Sequence, residues 1–211
     1  MASTVPGALT SRTLCPNHRP DAGATVTGME LDPGYSNVRV GVKALIYRDG
    51  HILFNEYGYP DDDARSPLVG DDIPPADSAT NTSRSVFALP GGGQEHGESQ
   101  VDALKRECLE EVGVRVRVFD LACTFELIST RVGTHRAARG DVFHQLNSAF
   151  WCQLEPGEEP SVGADADNFQ IGVRWLPLER LHEYAVRPRE VAQWLQADAS
   201  NRPRTIGTLR D

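Results

Sequence analysis

Apolar and polar residues alternate from Val38 to Tyr47. Val38, Val40, Val42, Ala44 and Ile46 take one side, and Arg39, Gly41, Lys43, Leu45 and Tyr47 the other. A period of two predicts a β-strand. Asp49-Gly50 suits a hairpin turn, and His51 to Glu56 reads as the returning strand. Val86 to Leu89 predicts a short third strand that runs into Pro90 and three glycines. The period then changes. Val101, Leu104, Cys108 and Val112 are spaced 3, 4 and 4, which predicts a helix with an inward apolar stripe. Ser99, with Asp102 three residues on, resembles a capping box at its start, and Gly113 suits its end. Three more strands are predicted, at roughly Arg115 to Ile128, Val142 to Leu154 and Gln170 to Leu176. In the second, Leu146, Ser148, Phe150, Cys152 and Leu154 share a face. Pro177 to Tyr184 and Pro188 to Ala197 read as short helices, the latter turning Val191, Trp194 and Leu195 inward.

These elements predict one α/β domain over residues 38–198, with no internal repeat. Residues 1–37 read as a disordered tail and 199–211 as a loose polar one. Residues 58–85 form an acidic, proline-rich insertion holding Pro60, Pro67, Pro74, Pro75 and six aspartates. A connection of that length is a floppy surface segment or a lid.

Charge narrows the function. A net charge of −9 over 211 residues disfavours a nucleic-acid polymer as partner, which would need a basic stripe. It leaves room for a small phosphorylated substrate, because a bound cation inverts the local sign. Of four cysteines, Cys108, Cys123 and Cys152 sit in apolar patterns and read as core thiols. No apolar run is long enough for a membrane span and no signal peptide is legible, so the expected location is cytoplasmic.

The helix predicted after the glycines carries the chemistry. Glu107, Glu110 and Glu111 lie three and four residues apart, on neighbouring parts of one helical face beside the apolar stripe. Carboxylates crowded in this way repel one another unless a cation neutralises them. A hard divalent ion such as Mg²⁺ prefers oxygen ligands and commonly accompanies phosphates. Arg106 can pair with Glu98 and hold the glycine loop against the helix. A solvated acidic face is the bland alternative.

Taken together, Gly92, Glu98, Arg106, Glu107, Glu110, Glu111 and Gly113 resemble the Nudix box, G-x5-E-x7-R-E-U-x-E-E-x-G-U, with Cys108 and Val114 at the bulky apolar positions. All seven fixed positions match. Cys108 is smaller than the usual Leu or Ile. The resemblance extends loosely over Val38 to Ala197. It implies an α/β/α sandwich around a central mixed β-sheet, and hydrolysis of a nucleoside diphosphate linked to another moiety. It also implies Mg²⁺ or Mn²⁺ held by Glu107, Glu110 and Glu111, with a backbone carbonyl of Gly91 or Gly92. Glu98 would pair with Arg106 or join the metal cluster. Glu107 or Glu110 would serve as general base, and homodimers are frequent in the family.

Substrate identity lies outside the box. Arg131, His135, Arg136 and Arg139 form the most basic loop, ahead of a strand carrying His144, Gln145 and Asn147. Some of these contact a phosphate or sugar, or the loop is simply solvated. Glu158, Glu159, Asp165 and Asp167 offer one further metal ligand, or another solvated loop. Two other functions stay open: hydrolysis of a non-nucleotide diphosphate such as an isoprenoid one, and nucleotide sensing without turnover.

Overall fold

The computed structural model describes residues 38–58, 85–129, 142–167 and 169–210. Strands β1 (Arg39–Arg48) and β2 (His51–Gly58) form the predicted hairpin. Asp49 and Gly50 both take positive φ, 49° and 77°, as a two-residue turn of this hand requires. β1 and β2 pair only next to the turn, at Tyr47–Ile52 and Arg48–His51, and then part. Beyond that point β1 pairs in parallel with β5 (Phe143–Leu154), which pairs antiparallel with β4 (Val116–Ser129). β2 pairs antiparallel with β3 (Ser85–Ala88) and with β6 (Gln170–Pro177), and β3 carries the two-residue β7 (Val186–Arg187).

The parting of β1 and β2 leaves one edge of β1 open, and the glycine loop fills it. Ala44 N–H donates to Pro90, Val42 N–H to Gly92, and Gln94 N–H to the carbonyl of Val40, at 2.8 to 3.0 Å. Buried backbone donors need such partners. A demand for hydrogen bonds on β1 thus places the loop that leads into helix α1 (Gln100–Val112).

Both faces of the sheet are covered. Val42, Ala44 and Ile46 pack with Leu104, Cys108 and Val112 of α1. Leu45, on the opposite face, packs in a second core with Phe54, Phe125, Leu181 of a 3₁₀ helix (Leu178–Glu183) and Trp194 of helix α2 (Arg189–Gln196). This is the expected mixed-sheet α/β sandwich. Cys108, Cys123 and Cys152 are free and buried, as predicted. Among the described residues no helix is long and apolar enough to cross a membrane.

Two expectations need correction. Val101 is 37 % exposed, and Ala103 is buried in its stead. A wheel angle gives direction only, and among the described residues Val101 stays partly open to solvent. The C-terminal segment is not a loose tail throughout. Thr205–Arg210 forms strand β8, parallel to β4, and Leu209 enters the core at 8 % exposure. Its six residues are too few and too polar to announce themselves. Its partner is β4, distant in sequence, so only the tertiary fold supplies the pairing. The expected tail 1–37, most of the insertion 58–85 and the basic loop lie outside the described residues.

Deleting residues 205–211 should cost at least ~2 kcal/mol, about 5 °C in Tm, because Leu209 leaves the core and the β4 edge is uncovered. Thermal melts of the full and shortened chains check this. An unchanged Tm would mark the segment as a loose tail after all.

Candidate active site

Ser99 caps α1 as expected: its hydroxyl oxygen accepts from Asp102 N–H at 3.1 Å and its O–H donates to the Asp102 carboxylate at 2.7 Å. The other end is fixed by a segment that sequence reasoning left as a solvated loop. Ser161, Gly163 and Asp165 N–H donate to the carbonyls of Val112, Glu111 and Glu110. The Gln170 amide also donates to the Glu111 carbonyl, at 2.7 Å. These are carbonyls that a helix end leaves unsatisfied. α1 is therefore held at both ends, and its side chains project from a fixed frame.

Arg106 stands at the centre of the acidic residues. Its Nε donates to Glu98 at 3.3 Å, one Nη to Glu107 and Glu110 at 2.9 Å each, and the other to Glu98 at 2.8 Å and the Gly93 carbonyl at 2.9 Å. A guanidinium has five N–H donors, and here each has an acceptor. Glu98 also accepts from Glu95 N–H at 2.7 Å. The hydrogen bond from Arg106, then that from Glu95, hold the Glu98 carboxyl below its usual range. Of the two sequence expectations for Glu98, the structure shows the pairing with Arg106.

Glu107 and Glu111 are buried beside the apolar stripe, at 9 % and 7 % exposure. Glu111 Oε2 accepts from Asn55 Nδ2 and from Gly91 N–H, both at 2.7 Å. Glu107 lies against Gly92, where an added Cβ would sit 2.6 Å from both carboxylate oxygens. Gly91 has φ of 126°, and a Cβ there would meet the Val42 carbonyl at 2.1 Å. Only glycine fits at Gly91, and a side chain at Gly92 would displace the Glu107 carboxylate. Burial raises the Glu107 carboxyl above its usual value, Arg106 opposes that shift, and the like charge of Glu111 adds to it.

Lys43, half-buried on β1, was missed by sequence reasoning. Its Nζ donates to the Gly91 carbonyl, the group the family resemblance offered to a metal. A lysine inside an apolar strand pattern was the available signal. Asn55 was missed too; it is 0 % exposed and one strand away from the box helix. His144 is tied to Glu126 at 2.8 Å, and Glu126 to Thr208 at 2.6 Å. It lies on the opposite face of β5 from Gln145 and Asn147. Glu158 clamps Arg115 and Glu159 reaches Arg48, so neither joins the box carboxylates. Arg131, His135, Arg136 and Arg139 lie outside the described residues. A hollow of about 420 Å³ lined by Tyr47, Ile52, Phe119, Trp151 and Arg202 contains no carboxylate and none of these groups.

The donor set suits a hard divalent cation. Each of Glu107, Glu110 and Glu111 has one oxygen fixed by N–H donors and a second oxygen outside the hydrogen bonds of the described residues. Glu107 and Glu110 turn to Arg106 and Glu111 to Asn55 and Gly91, and among the described residues no three acidic, histidine or cysteine groups form a ready metal cluster.

The family model of the NUDIX domain matches residues 75–195. Among solved structures, a NUDIX hydrolase from Nitrosomonas europaea is 18% identical, with 84% of this chain and 81% of that one covered and a TM-score of 0.53. A MutT NUDIX hydrolase from Burkholderia pseudomallei is 24% identical, covering 74% and 95%, with a TM-score of 0.51. A MutT protein from Methanosarcina mazei Go1 is 18% identical, covering 75% and 91%, with a TM-score of 0.50. At these identities the likeness is one of fold. No curated protein matches.

Because the folded Glu107 carboxyl titrates above its unfolded value of about 4.3, its contribution favours folding only below that value and is lost as pH rises through the folded pKa. At neutral pH the ionised group opposes folding. Glu107→Gln should therefore raise the metal-free Tm at pH 7.5. The gain should vanish near pH 4. Calorimetry in chelator at the two pH values decides it, and a lower Tm for the variant at pH 7.5 would contradict the buried-charge account.

Proposed function

The chain belongs to the NUDIX domain family, and on that premise we propose that it is a divalent-metal-dependent pyrophosphohydrolase. Its substrate is a nucleoside diphosphate linked to another moiety, or a related small diphosphate, cleaved at a phosphoanhydride bond. The observation that carries this reading is the state of the three box carboxylates. Each is oriented by N–H donors through one oxygen and retains another. A purely structural ion-pair cluster has no need of three such oxygens on one helix face.

Glu107, Glu110 and Glu111 would hold Mg²⁺ or Mn²⁺, which when bound neutralises diphosphate oxygens and acidifies a water. The chain's own groups supply the rest. Arg106 fixes the loop and the carboxylates, so that little reorganisation remains at the moment of reaction. Lys43 places a positive charge beside the Gly91 carbonyl, near Glu107, where it suits an incoming phosphate. Glu107 is the better candidate for the base. Its burial makes the carboxylate more basic, and proton transfer is most efficient when the base titrates near the working pH. Retention of every box carboxylate favours turnover over sensing.

Glu107→Gln should reduce kcat by about 10²-fold or more, on a panel of nucleoside triphosphates, sugar nucleotides, dinucleotides and isoprenoid diphosphates with Mg²⁺. The measurement is phosphate or pyrophosphate release for both proteins. Equal inertness of wild type and variant on every compound removes the enzyme reading.

A further inference from the structure

The hollow of about 420 Å³ takes no part in the box chemistry. It opens at the far end of β1 from the glycine loop. Tyr47 lies five residues beyond Val42, where that loop docks, and five residues of strand span roughly 16 Å. Ile52 and Leu178 line the hollow together with three aromatic rings, Tyr47, Phe119 and Trp151, and one cation, Arg202. A concavity of this size, apolar with few polar groups, has the character of a small-molecule site.

The strand that forms one wall is bent there. Val118 pairs with Cys152 and Leu121 with Phe150, so Phe119 and Asp120 together face the single residue Trp151. That is a β-bulge, which bends a strand and re-aims its side chains. Phe119 stays 46 % exposed and Tyr47 48 %. Two half-open rings at one hollow make a patch, unlike apolar residues exposed singly.

The other wall is held in place. Trp194 lies against Trp151 with ring centroids 6.2 Å apart, and its indole N–H donates to the Pro203 carbonyl at 2.8 Å. Arg202 stacks over Trp194 at 5.2 Å. Its Nε donates to the Ala197 carbonyl and one Nη to the Leu195 carbonyl. Those acceptors are neutral, and the second Nη makes no hydrogen bond among the described residues. Asp198 senses the charge of Arg202, but its Oδ1 is held by Ser200. A guanidinium stacked and pinned with one edge open binds a planar carboxylate with little loss of freedom.

We propose that this hollow binds a small aromatic carboxylate. Its ring lies among Tyr47, Phe119 and Trp151, where offset and edge-on ring contacts are favourable. Its carboxylate accepts from the open Nη of Arg202. A bare phosphate would gain the guanidinium and leave the rings unfilled. A sugar would strand its hydroxyls against Ile52 and Leu178. The hollow holds none of the box carboxylates, so the site is independent of the hydrolase reading.

Calorimetric titration of the full chain with 2-naphthoate and with 2-naphthamide, in chelator, tests this. The naphthoate should bind one to one and about tenfold tighter than the uncharged amide. Arg202→Gln should remove that difference. Phe119→Ala, at an exposed position, should weaken both ligands about tenfold, and it decides the matter if Arg202→Gln fails to fold. Glu107→Gln should bind both as wild type does. No saturable binding, equal affinity for the two ligands, or affinities that neither hollow variant moves overturns the site. Sedimentation of wild type and Phe119→Ala identifies a rival occupant: a dimer that this substitution dissolves would make the hollow an interface between copies and overturn the ligand site.

Discussion

Arg106 is the constraint on which the site depends. Its five donors reach Glu98, Glu107, Glu110 and the Gly93 carbonyl, so one side chain ties the loop, the helix and three carboxylates together. The hydrogen bond to Glu98 is the largest of the effects that strengthen its hold on its proton. Lysine has three donors on a flexible stem and cannot reproduce this fork. The arrangement also explains how like charges coexist on α1. The helix brings Glu107, Glu110 and Glu111 together by its period alone, and a cation must stand among them. In this structure the guanidinium serves Glu107 and Glu110, while Asn55 and Gly91 N–H hold Glu111.

The second constraint is the parting of β1 from β2. Had the hairpin stayed paired, β1 would have no open donors at Val42 and Ala44, and the glycine loop no seat. The loop acts as a substitute strand. Because its hydrogen bonds go to β1, its glycines lie so close to the carboxylates that a side chain at Gly92 would push Glu107 aside. Fold and site are thus one arrangement: the sheet positions the loop, the loop positions Glu111 through Gly91 N–H, and Arg106 closes the circuit.

What was legible in the sequence is what local periodicity controls. Helix α1, its cap at Ser99, the Asp49-Gly50 turn and the Arg106–Glu98 pair follow from spacings of two, three, four and eight residues. What was not legible depends on contacts between distant segments. Asn55 and Gln170 reach Glu111 across 56 and 59 residues, and Lys43 reaches Gly91 across 48. β8 exists because β4 offers an edge. Gly163 looks like any loop glycine, yet a Cβ there would meet the Glu110 carbonyl at 2.0 Å. His144 looked like a binding residue because its type and place allow it. Only the strand's alternation, with a known face for each side, separates it from Asn147.

The two unusual costs of this fold point in the same direction. Glu107 is a buried acid whose charge opposes folding, and Asn147 is a buried acceptor with nothing to accept. Either would be removed by a simple substitution, Gln in the first case and an apolar residue of similar size in the second. Packing gives no reason to keep them, since the surrounding cores are closed by Leu104, Cys108, Phe125 and Ala149 without their polar ends. Groups that weaken a fold and survive in its interior are those that a ligand completes.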